Sequence, residues 1–259
     1  MAKKLGIAFG SGASKGIAHI GVMKAFEENG IKADMVTGCS SGSIAAACYA
    51  LGKTHDWIYA RIKRLKKEDL LDISINFIKN KALMKSQKMQ RMLEKYFGKV
   101  DITDLKIPFS CIACDLITGK LHEFTHGDLA TAVRASCSIP LVFSPVEVDG
   151  KLLCDGGVLL RTPVKTLKKL GAEVTVAIDV NCDAYIDAPV KNLFDIAFKT
   201  IDIMDHSVNR SSPGTRADVV IEPDLKNVNQ YKLDDKEFIF EQGYKAGVKA
   251  VEKIKFLCE

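Results

Sequence analysis

The chain has 259 residues, 47% hydrophobic and 27% charged, enough to bury a substantial core and too balanced for a disordered, collagen-like or disulfide-stapled protein. Its formal net charge of +5 is unevenly spread: residues 53–99 carry about 13 basic against about 5 acidic side chains, which leaves the remainder slightly acidic. The longest uncharged apolar run, Ile44–Leu51, is too short to cross a bilayer, and the run after Lys4 meets glycine too early for an export signal. A cytoplasmic protein able to touch the membrane from that side is therefore expected, its eight cysteines reduced and mostly buried as small hydrophobes.

In chain order, KLGIAF (4–9) is an apolar run ending at glycine and reads as a strand. A helix follows from Gly16 to about Asn29, with Ile17, Ile20, Val22, Met23 and Phe26 on its apolar face and Gly30 as its cap. ADMVTG is a second strand, and SGSIAAACYALG a buried helix ending at Gly52. The basic segment 53–99 reads as helices whose apolar stripe includes Leu83, Met84, Met89, Leu93 and Phe97. Such a segment serves either as a solvated helix pair or as a lid and docking face for anionic lipid headgroups; no nucleic-acid motif is present, so no nucleic-acid partner is expected. IPFSCIACDL and LHEF form a hairpin around the turn ITGK, Asp128–Ser136 a short helix, and VEVDGKLLCDGG a second hairpin with an Asp-Gly turn. Pro163 opens a helix to Leu170, EVTVAIDV is a continuous apolar strand, residues 192–208 an amphipathic helix, ADVVIEPD a last core strand and Lys236–Phe256 a terminal helix. Strands alternating with helices imply one α/β domain over 1–259, a three-layer α/β/α sandwich with a mostly parallel central sheet.

Three sites carry chemistry. FGSGASKGIA joins a strand to a helix, where outward N–H groups favour an anion, and it is open to two uses. One is a nucleotide turn like that of short-chain dehydrogenases, although Ala18 replaces that family's last glycine and the Tyr-x-x-x-Lys pairs, Tyr49/Lys53 and Tyr59/Lys63, come too early. The other is an oxyanion hole. GCSSG fits G-x-S-x-G only with Ser40 central, flanked by Gly38 and Gly42, in the strand–turn–helix context of a nucleophile elbow. A serine there needs a base: the order Ser40, Asp155, His206 permits a triad, while Asp155 at a strand end before Gly156 and Gly157 offers a carboxylate instead. Cys111, Cys114, His122 and His126 mimic a zinc set, but the spacing is short and the cysteines sit in a strand pattern, so no metal is expected.

Together the motifs resemble the patatin-like phospholipases, in particular the small bacterial single-domain members. The likeness rests on Ser11-Gly12-Ala13-Ser14-Lys15-Gly16 followed by AHIGV (18–22), on Gly38–Gly42, on Asp155-Gly156-Gly157, and on the block ASCSIPLVFSPVEVDGKLLCDGG between the last two. The motif-bearing core would be about 5–166, with 53–99 as a helical insertion. The resemblance implies a lipid acyl hydrolase without cofactor, acting on acyl-ester lipids through a Ser40–Asp155 dyad and an acyl-enzyme. Gly12 and Ala13 N–H groups would bind the oxyanion and Lys15 would support their loop. Ser11 and Ala13 stand where the family usually has glycine, Lys15 where arginine is commoner, and Arg161 where asparagine often follows. The alternative readings are a non-catalytic lipid-binding module and, further off, an NAD(P)-dependent dehydrogenase.

Overall fold

Apolar runs without polar alternation build the parallel part of the sheet: β1 (Leu5–Phe9), β2 (Met35–Cys39), β3 (Phe109–Asp115), β7 (Val174–Ile178) and β8 (Val219–Ile221). The computed structural model describes residues 2–70, 84, 86–182, 190, 196, 199–200, 203, 216–226 and 228–259. The helix expected over 192–208, its His206, and most of 71–85 lie outside them. Three antiparallel strands, β4 (Leu121–Phe124), β5 (Val146–Val148) and β6 (Lys151–Asp155), complete the sheet in the order β5-β6-β3-β2-β1-β7-β8, with β4 on β3. The β5–β6 turn uses Asp149 and Gly150, both at positive φ (49° and 73°), as the Asp-Gly pair requires. ADVVIEPD proves shorter and more peripheral than a core strand: only its central residues pair, on the outer side of β7, and Val220 is 49% exposed.

One face of the sheet is covered by α1 (Ile17–Glu28), α2 (Ser41–Ala50), α5 (Gln87–Phe97), α6 (Leu129–Ser136) and α8 (Lys236–Cys258), in one continuous core with Ile7, Phe9, Val36 and Phe109. The other face is covered by α7 (Val164–Lys169) through Val164 and Leu167 against Ala8, Met35 and Ala177. This is the three-layer α/β/α sandwich expected. Helices α1 and α8 approach backbone to backbone, since a Cβ on Gly21 would collide with the Phe240 carbonyl and one on Gly243 with the Ala18 carbonyl.

The basic segment supplies α3 (His55–Arg64) and a short α4 (Lys67–Leu70) before α5. Part of its charge is engaged internally: Arg61 stacks on Trp57 at 3.5 Å, Lys53 lies over the same ring, and Trp57 meets Tyr96 edge-on. Lys63, Arg64, Lys66, Arg91, Lys95 and Lys99 are exposed. No helix among the described residues is long and apolar enough to cross a membrane.

The sheet has one topological feature that matters for chemistry. Ile112 pairs with both β2 and β4, and Ala113 with both β4 and β6. A strand has two edges, so β4 takes one edge of β3, and β2 and β6 share the other. They meet there end to end, β2 finishing at Cys39 opposite Ile112 and β6 finishing at Asp155 opposite Ala113. Residues some 115 positions apart in the sequence are thereby brought to one point, and Cys39 Sγ lies 3.8 Å from Asp155 Oδ1.

Candidate active site

Ser40 links β2 to α2 with φ 50° and ψ −128°, a conformation that few non-glycine residues adopt. The turn is held from three directions: the Ser40 N–H donates to Ser136 Oγ (2.9 Å), and the Ser40 carbonyl accepts from Ser43 N–H (2.8 Å) and Ser43 Oγ (2.6 Å). The flanking glycines are required by contact. A Cβ on Gly38 would lie 2.5 Å from Ser43 Cα, and one on Gly42 would strike the Phe9 carbonyl and lie 2.5 Å from the Gly10 carbonyl. Gly42→Ala is therefore expected to lower stability by more than about 3 kcal/mol, because the Phe9 carbonyl cannot retreat without disturbing β1, nor the Gly10 carbonyl without displacing the loop it opens; the loss is read from a thermal or urea melt.

Asp155, 6% exposed, caps the turn after β6: its Oδ1 accepts the Gly157 N–H at 2.8 Å, and its own N–H donates to the Ser138 carbonyl at 2.9 Å. Gly156 passes so close to β3 that a Cβ would lie 2.6 Å from the Ile112 carbonyl. The short stretch Ser136-Cys137-Ser138 thus steadies both candidates, Ser136 through the Ser40 N–H and Ser138 through the Asp155 N–H. Two nearby thiols are poor nucleophiles: burial pushes the Cys111 thiol well up, and burial reinforced by the Asp155 charge does the same to Cys137.

The Gly-rich loop closes the site. Ser40, Asp155, Gly12 and Ala13 line one cleft of about 50 Å³ together with Ser11, Gly157, Asn181, Gln230, Tyr231 and the Ile139-Pro140 wall. Ser11 N–H donates to the Arg161 carbonyl and Ser14 N–H to the Gln230 carbonyl, whereas the Gly12 and Ala13 N–H groups meet no acceptor among the described residues. Gly12 abuts Val180, whose Cγ2 leaves no room for a Cβ. Lys15 is buried, 1% exposed, with Nζ 3.4 Å from Asn181 Oδ1, and does not line the cleft. Arg161 is likewise buried and donates to the Asn181 carbonyl, so both departures from the family pattern converge on one asparagine. Ala13 sits at φ 46°, the left-handed region where a Cβ adds strain. Ala13→Gly is expected to raise stability by about 0.5–1 kcal/mol, the relieved strain exceeding the added chain entropy, as measured by urea denaturation.

Cys111 and Cys114 are three residues apart in β3 and so point to opposite faces, which prevents them from sharing one ion. Among the described residues no three His, Cys, Asp or Glu side chains are grouped to hold a metal. Ser136, Ser138, Asn181, Gln230 and Tyr231 enter the site unannounced by the sequence motifs. The two serines fall inside the ASCSIP block, which marks the region and not their roles; Gln230 carries no local signal at all.

A strained serine at a strand–helix turn beside a carboxylate and a glycine-rich loop, on a three-layer α/β/α sandwich, defines the patatin-like class. Residues 7–168 match the family model described as patatin-like phospholipase, and the chain belongs to that family. It is 34% identical over 178 residues to an uncharacterized NTE family protein of Mycobacterium tuberculosis, covering 69% of this chain and 49% of that protein. It is 31% identical over 182 residues to the lysophospholipase NTE1 of Meyerozyma guilliermondii, covering 68% of this chain and 12% of that protein. The chain thus spans about half of the mycobacterial relative and a small part of the fungal one. Among solved structures, VipD from Legionella pneumophila superposes with a TM-score of 0.63 at 14% identity, covering 97% of this chain and 67% of that one. ExoU of Pseudomonas aeruginosa, in complex with SpcU, superposes with a TM-score of 0.53 at 14% identity, covering 97% and 52%.

Proposed function

We propose that the protein is a serine lipid acyl hydrolase that cleaves acyl esters of phospholipids or lysophospholipids through a Ser40–Asp155 dyad. The observation that carries this reading is the single cleft lined by a strained Ser40, Asp155, and the Gly12 and Ala13 backbone whose N–H groups are unengaged. Ser40 Oγ attacks the ester carbonyl while Asp155 takes its proton. The carbonyl oxygen becomes an oxyanion between the Gly12 and Ala13 N–H groups. Collapse expels the alcohol, which recovers the proton from Asp155 and leaves the acyl chain on Ser40. Asp155 then deprotonates water, which attacks the acyl-enzyme; the Ser40 Oγ–acyl bond breaks, Ser40 Oγ takes the proton from Asp155, and the fatty acid leaves. The family membership and the naming of the fungal relative as a lysophospholipase support a lipid substrate. The exposed cations of 53–99 are the surface proposed to meet anionic headgroups.

The test is turnover of p-nitrophenyl esters of increasing acyl length and of lysophosphatidylcholine, together with labelling by a fluorophosphonate probe. A well-folded protein that neither turns over any of these esters nor takes the label would instead be a lipid-binding module. Titration with NAD(P) tests the dinucleotide reading, and no tight binding is expected.

A further inference from the structure

We infer that His19 is a positioning residue for the oxyanion loop: its imidazole holds the Gly10 carbonyl and thereby fixes the backbone from which the Gly12 and Ala13 N–H groups face the cleft. The inference rests on the hydrolase reading above.

His19 is the third residue of α1 and is fully buried, packed edge-on against Phe9 with ring centroids 5.4 Å apart. Its Nε2 lies 2.8 Å from the Gly10 carbonyl oxygen. A carbonyl can only accept, so Nε2 carries the hydrogen and Nδ1 is left with its lone pair. That Nδ1 has no hydrogen-bond partner among the described residues. Burial pulls the ring's pKa down to about 4, so the donor stays neutral across the physiological range.

Gly10 is the junction of the two halves of the site. Its N–H is tied to the Ile178 carbonyl at the end of β7, and its carbonyl oxygen sits 2.5 Å from where a Cβ on Gly42 would be. The same peptide group therefore touches the elbow helix on one side and begins the loop on the other. Turning it would displace the elbow contact and, two and three residues further on, the Gly12 and Ala13 N–H groups. A leucine would fill the space of the imidazole without burying an unpartnered Nδ1, so packing alone does not account for a histidine here. What leucine cannot supply is a donor to the Gly10 carbonyl.

The experiment compares wild type, His19→Leu and His19→Gln for p-nitrophenyl ester kinetics and fluorophosphonate labelling. Gln places its amide nitrogen near the position of Nε2 and restores a donor. His19→Leu is expected to lower kcat about 100-fold, the scale of a lost oxyanion contact, with KM changed less than about threefold. His19→Gln is expected to recover to within about tenfold of wild type. A folded His19→Leu protein with kcat within about threefold of wild type, or a Gln variant no better than Leu, would overturn the inference while leaving the hydrolase reading intact. Wild type without turnover or labelling would instead overturn the hydrolase reading. Should His19→Leu fail to fold, nitrogen NMR of the wild-type ring decides: hydrogen on Nε2 and a bare Nδ1 from pH 8 to pH 5 are expected, and a ring that titrates near 6.5 or protonates at Nδ1 overturns the inference.

Discussion

Ser40→Ala is expected to bring ester turnover down by about 10⁴- to 10⁶-fold, to background, and to abolish fluorophosphonate labelling. Ser41→Ala is expected to keep both. The two serines are adjacent and chemically identical, so the difference is entirely positional. Ser40 occupies the strained corner and lines the cleft. Ser41 is the first residue of α2, and its Oγ is buried against Gly16, where a Cβ would come within 2.5 Å of it. Removing the Ser40 hydroxyl leaves the turn's hydrogen bonds in place, since those bonds use its N–H and carbonyl. Melting temperature should therefore change little in either variant. Labelling that survives in Ser40→Ala and disappears in Ser41→Ala would assign the nucleophile to the wrong side of the turn.

The elbow was legible because it depends on local rules. Two glycines at fixed offsets from a central serine, between an apolar strand and a small-residue helix, correspond to contacts that leave no room for a Cβ. The Asp-Gly hairpin before Asp155 was legible for the same reason. The meeting of Ser40 with Asp155 was not a local matter. It follows from β2 and β6 sharing one edge of β3, a pairing that periodicity does not encode; only the order of family motifs pointed to it. The support given by Ser136, Ser138 and Gln230 is less legible still. It runs through one hydroxyl and two backbone carbonyls, and a carbonyl is the same in every residue. The left-handed Ala13 shows the opposite case. The resemblance to the family motif marks it as a departure, but only the φ of 46° shows that the loop keeps its shape against the strain. Lys15 was expected to support this loop; it is buried with its Nζ 3.4 Å from Asn181 Oδ1.

Asp155→Asn is expected to lower kcat by about 10³- to 10⁴-fold, the upper range for a general base, while leaving the fold intact. Asparagine has the same shape, its Oδ1 can still accept the Gly157 N–H, and the main-chain bond to the Ser138 carbonyl is untouched. What it loses is the ability to take a proton from Ser40 and later from water, so both acylation and deacylation slow. His206→Ala, by contrast, is expected to stay within about threefold of wild type, since the proposed dyad needs no imidazole. The reverse outcome, a near-normal Asp155→Asn and a dead His206→Ala, would replace the dyad by a triad. The double variant Ser40→Ala/Asp155→Asn separates base from bystander. If Asp155 works only by deprotonating Ser40 and the water that frees it, the double variant should be no less active than Ser40→Ala alone, because groups that act as a unit are not additive. A further loss beyond the single serine variant would mean that the carboxylate contributes something independent of the nucleophile, such as holding the loop through Gly157.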